Sequence, residues 1–134
     1  MSSLFSDLQE SIAERLASQL ADAGGPRGIE PLIEVKGDLV TQIRQRLDKI
    51  GLGIAVLTPS VRRVPEDGDN KIEARVTIGI AEKPIVNGSK IGSGVPAIDV
   101  VAAVLGSLHA WQPENEKWSV LEFEGIELGN VGEY

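Results

Sequence analysis

Residues 51–81 read GLGIAVLTPSVRRVPEDGDNKIEARVTIGIA, and the spacing of their apolar residues decides the fold. Ile72, Ala74, Val76, Ile78 and Ile80 alternate with Glu73, Arg75, Thr77, Gly79 and Ala81. That is the two-residue period of a strand with one face buried. The preceding part, from Gly51 to Val64, is rich in β-branched residues and predicts a partner strand. A kink is expected at Pro59, because proline has no N–H to give to a ladder. PEDGDN joins the two, and Asp, Gly and Asn are favoured turn residues, so the pair reads as an antiparallel hairpin.

Upstream of this hairpin, Leu39, Ile43, Leu47 and Ile50 recur at helical spacing, with Asp38 placed to cap the helix and Gly51 to end it. Residues 24–37, GGPRGIEPLIEVKG, read as a loop or a short extended piece. Before them, Phe5, Leu8, Ile12, Leu16 and Leu20 make one stripe of a helix over 3–23. Downstream, residues 82–95 read as a loop and Pro96 suits a helix start. A helix over 97–111 follows, its inner stripe expected at Ile98, Val101, Leu105 and Leu108 with Val100, Val104 and Trp111 beside it. Pro113 ends it, and WSVLEFEGIEL, 118–128, predicts a last strand.

The order helix, helix, strand, strand, helix, strand predicts an α+β fold. Its expected form is an antiparallel sheet of three to four strands built on the central hairpin, with helices packed on one face and an additional N-terminal helix. A length of 134 residues suits a single domain. Within it, 38–125 is the expected core and 126–134 a flexible tail, read equally as one that gains order on binding or as a frayed end.

A 42% hydrophobic and 25% charged composition is that of a soluble globular chain. A net charge of −7 argues against a nucleic-acid partner, and aromatics at 4% leave few stacking platforms. The absence of cysteine excludes disulfides and thiolate ligands and fits a reducing cytoplasm. No apolar run approaches the ~20 residues of a spanning helix, so no membrane is expected.

Motifs that carry chemistry are thin. NGSKIGSGVP, 87–96, sets three glycines and Lys90 ahead of a helix, yet its spacing departs from both the P-loop and the dinucleotide fingerprint. A mobile loop is the simpler reading, and a small-ligand or anion-binding domain using residues 87–95 is the alternative. PEDGDN fails the spacing of a calcium loop. His109 is the lone histidine, no GxSxG elbow is present, and Glu122 and Glu124 lack an aromatic sugar platform. No enzyme, cofactor or metal site is expected.

The two central strands, the loop, the helix ending in HAWQP and the tryptophan-led segment together resemble the tail-terminator and tail-completion group of tailed bacteriophages, including prophage copies. The resemblance spans roughly 38–125. It implies a structural protein of the virion tail, made in the bacterial host cytoplasm. Several copies would form a ring that contacts tail-tube or connector proteins. A ring subunit meets its neighbour through two different patches. The contact residues expected on that basis are Asn87, Lys90 and Ile91 of the glycine loop and Ile126, Leu128 and Tyr134 of the tail.

Overall fold

The computed structural model describes residues 4–34, 38–66, 69–113, 118–119 and 121–125. Helix α1 (Leu4–Gln19) buries Leu8, Ile12, Ala13 and Leu16, and Leu20 continues the stripe in the turn beyond it. The loop or short extended piece expected over 24–37 contains a two-residue strand, β1 (Leu32–Ile33). Helix α2 (Leu39–Ile50) leads from it into β2 (Leu52–Val56), and β1 pairs with β2 in parallel. Parallel neighbours need a crossover connection, and α2 supplies it.

Asp38 caps α2: Thr41 N donates to its Oδ1 at 3.3 Å and Thr41 Oγ1 to its Oδ2 at 2.7 Å. The hydroxyl bond first, then the backbone bond, hold the Asp38 carboxyl below its ordinary value. A depressed carboxylate contributes stability above its unfolded-state pKa and loses it as pH falls through the folded-state one. Asp38→Ala is therefore expected to lower the urea midpoint at pH 7, with the gap to wild type closing as the pH falls below the ordinary aspartate range. A gap unchanged at acid pH would show that the cap does not depend on the charge.

The central hairpin forms in two halves. β2 pairs antiparallel with β5 (Ile78–Glu82), and β3 (Ser60–Glu66) with β4 (Asp69–Arg75), giving a mixed sheet in the order β1-β2-β5 and a two-stranded extension. The two strands expected are thus each interrupted. Val56 opposes Ile78 and Ser60 opposes Arg75, so residues 57–59 face only 76–77. Leu57 N still donates to Thr77 O at 3.0 Å, which leaves the extra residue at Thr58-Pro59 as a bulge. The bulge brings Val61, not Ser60, opposite Ala74. Ala74, Val76, Ile78 and Ile80 keep their alternation and pack against the core, whereas Ile72, expected on the same buried face, is exposed on the two-stranded extension. On the other face, Arg62 and Arg75 meet Glu73 at 2.7 and 3.2 Å, and Arg75 reaches Glu124 at 3.0 Å.

Every residue of β2 is buried. Leu52, Ile54 and Val56 join one apolar cluster with α1 and with α4 (Ala97–Leu108). The opposite face carries Gly53, where an added Cβ would lie 3.1 Å from Ile43 Cδ1 of α2. Helices therefore cover both faces, not one, because the strand is apolar on both sides and the crossover helix takes the face that α1 and α4 leave open.

α4 is rotated and shorter than its sequence suggests. It buries Val100, Ala103, Val104 and Ser107, while Ile98, expected inside, is exposed. The helix is apolar nearly all round, and its small residues Ala103 and Ser107 let α1 approach closely. Arg15 of α1 donates to Ser107 O at 2.9 Å and lies 5.5 Å from the Trp111 ring centroid. The helix stops at Leu108, and Ala110 turns the chain with φ 60°.

The strand expected over 118–128 is absent among the described residues, of which 118–119 and 121–125 are irregular. Ala110 N and Leu121 N bond to Leu121 O and Trp111 O at 3.0 and 2.8 Å, and Trp118 sits 6.1 Å from Phe5. Leu121 and Trp118 pack against the core from beside the helices. Their apolar spacing serves that packing and not a ladder.

Candidate interaction surface

The glycine loop forms a fastened structure where an open loop was expected. Its first part is one helical turn, α3 (Pro84–Asn87), and the Asn87 side chain is only 2% exposed. Asn87 Nδ2 donates to Glu82 Oε2 at 2.6 Å and to Val95 O at 2.8 Å. Asn87 Oδ1 accepts from Ser93 N at 3.2 Å and from Ser93 Oγ. Glu82 Oε2 also accepts from Ala97 N at 3.1 Å, at the start of α4. One carboxylate and one amide thus tie the end of β5, the loop and α4 together.

Gly51 lets the loop lie against the end of α2, and Gly92 lets it fold back on α3. Gly51 closes α2 with φ 76°, and an added Cβ there would fall 2.1 Å from Asn87 N. At Gly92 it would fall 2.1 Å from Asn87 O and 2.3 Å from Val86 O. Both contacts are with backbone, which cannot swing aside. Gly51 O accepts from Lys83 N at 2.8 Å, completing the join.

What this mounting displays is apolar. Ile85, Ile91 and Ile98 are 89%, 66% and 68% exposed, more than any other large hydrophobic among the described residues. Isolated exposed apolar residues are ordinary; three within residues 85–98 of one tethered segment make it the candidate interaction surface. Lys90 stands beside Ile91, exposed and with no hydrogen-bond or ion-pair partner among the described residues. Beside the loop lies a cleft of about 460 Å³ walled by Pro26, Ile29, Ile50 and Val95, with Ser93 and Arg27 as its polar side chains.

Of the residues singled out from sequence, Lys90 and Ile91 lie on this surface, whereas Asn87 points inward and holds it in place. Ile126, Leu128 and Tyr134 lie outside the described residues. Sequence reasoning missed Ile85, Ile98 and Glu82. Ile98 was readable from Asp99, Ala102 and Gly106, which share its exposed side of α4.

His109 is exposed at the end of α4, and no group of acidic or histidine side chains suited to a metal ion occurs among the described residues. No helix among them is long and apolar enough to cross a membrane. No family model matches the chain, nor does any curated protein or solved structure.

Proposed function

We propose that the chain is a structural assembly protein of a phage or prophage tail, forming a ring at the tail end or neck and contacting tail-tube or connector proteins. The observation that carries this reading is the set of three exposed isoleucines on a hydrogen-bonded mount. A pre-organised apolar surface binds without the cost of ordering a loop. The Ala97 amide, which an anion at the start of α4 would use, is bonded to Glu82, and that too supports assembly over ligand binding. Deleting the gene from its phage or prophage is expected to give tails that are unfinished or not joined to heads in electron micrographs. Normal, infectious virions would overturn the reading.

The cleft beside the loop supports a second reading, a small-ligand or anion-binding domain. It requires a saturable calorimetric signal with inorganic phosphate or ATP that Lys90→Ala removes. The absence of any signal rejects it.

A further inference from the structure

The cleft beside the glycine segment has the build of a small-molecule site. We infer that it takes a small carboxylate with a compact apolar body, such as an arylacetate or a branched short-chain acid, held by Arg27. The inference is independent of the assembly reading. It differs from the phosphate reading in placing the charged contact at Arg27 and not at Lys90.

The cleft, of about 460 Å³, draws its walls from three parts of the chain. Pro26, Arg27 and Ile29 come from the loop after α1, Ile50 from the end of α2, and Ser93 and Val95 from the glycine segment. A cavity of that size, lined mostly by apolar side chains with few polar ones, is the usual form of a ligand site. Ile29 belongs to the buried core and Ile50 and Val95 pack against it, so these walls are continuous with the core. They are also fastened. Gly25 N donates to Leu20 O at 2.6 Å, Ser93 N to Ile50 O at 3.3 Å, and Asn87 Nδ2 to Val95 O at 2.8 Å. A ligand therefore enters a shape that already exists, without the cost of ordering a loop.

The lining is positive in a chain whose net charge is −7. Arg27 is exposed and has no hydrogen-bond or ion-pair partner among the described residues. No acidic residue lines the cleft, and the charged residues that adjoin its lining in sequence, Glu30 and Lys49, are of opposite sign. Ser93, the other polar side chain, is already committed: its Oγ donates to Asn87 Oδ1 and accepts from Val95 N at 3.2 Å. A ligand thus meets apolar walls and one free polar side chain, a guanidinium. That set fits a planar carboxylate, which takes two parallel N–H bonds from an arginine, with an apolar body behind it. It fits phosphate poorly, because phosphate sites gather several N–H groups or cations and have no use for apolar walls.

The test is the amide spectrum of the isotope-labelled full chain, titrated with sodium phenylacetate. Saturable shifts are expected at Gly28, Ile29, Gly92 and Ser93. Phenylacetamide, which lacks the charge, and acetate, which lacks the apolar body, should each bind at least ~10-fold more weakly. Arg27→Gln should weaken phenylacetate by ~10- to 100-fold, the loss that follows removal of a charge-assisted hydrogen bond. Since Arg27 is exposed, this variant should keep the wild-type spectrum away from the cleft. Phenylacetamide that binds as tightly as phenylacetate, or an unchanged affinity in Arg27→Gln, overturns the inference. So does the absence of any saturable shift with phenylacetate. Shifts seen only with inorganic phosphate, and removed by Lys90→Ala, overturn it in favour of the phosphate reading.

Discussion

Gly51→Ala is expected to destabilise the chain by ~2–5 kcal/mol, through two separate costs. The first is conformational: φ is 76°, a region where an L-residue meets its own carbonyl. The second is steric, since the new methyl would lie 2.1 Å from Asn87 N and 2.6 Å from Asn87 Cα. Moving Asn87 aside would strain its bonds to Glu82, Ser93 and Val95. Gly28 provides the control, with φ 68° and open space around an added Cβ. Gly28→Ala should cost only the conformational part, about 1–2 kcal/mol. Urea titration measures both, as a lowered midpoint with the slope unchanged. Equal losses at the two positions would show that the loop does not press on the end of α2.

Asn87→Leu is expected to cost ~1–3 kcal/mol, because it removes one partner from each of several part-buried polar groups at once, although Ser93 N keeps Ile50 O at 3.3 Å and Val95 O keeps Ser93 Oγ at 3.4 Å. Val95 O and Glu82 Oε2 lose a donor, and Ser93 N loses an acceptor. Glu82 keeps Ala97 N, so α4 remains capped while the loop between loses its central tie. Hydrogen exchange should therefore accelerate at Ser93 and Gly94 more than within α4. On the assembly reading proposed above, Ile91 would no longer be held relative to Ile98, and association should weaken together with that local protection. Asn87→Asp should be worse at pH 7, since a second carboxylate would face Glu82. Its deficit should shrink as pH falls and one of the pair takes up a proton. A variant with unchanged exchange at Ser93 and Gly94 would remove Asn87 from this role.

These effects depend on contacts between residues far apart in the chain, and that is where reading the sequence ran short. Asp38 as a cap and Gly51 as a stop were legible, since both act within a turn of α2. The same holds for the stripe of α1, where Leu8, Ile12 and Leu16 recur at helical spacing and are all buried. Pro59 signalled an interruption, and the structure resolves it into a one-residue bulge. In α4 the polar markers are few, so the periodicity chose the wrong stripe and placed Ile98 inside. At 118–119 and 121–125 the apolar spacing was real, yet the described residues form no ladder, and Trp118 and Leu121 pack against the core instead.

By itself, then, the sequence determined the α+β class, the central hairpin, the first two helices and the ends of the second, whereas α1 stops at Gln19, short of the glycines expected to end it. Each of these follows from periodicity or from residues that cap, turn or break the chain locally. Only the tertiary structure decided that β1 runs parallel to β2, that β2 is covered on both faces, and that the glycine segment is tied down by Asn87 and Glu82. NGSKIGSGVP looks like an unconstrained loop because glycine favours freedom when nothing lies near it. Here Gly51 and Gly92 are small so that two pieces of backbone can touch, and that closeness is a property of the folded chain.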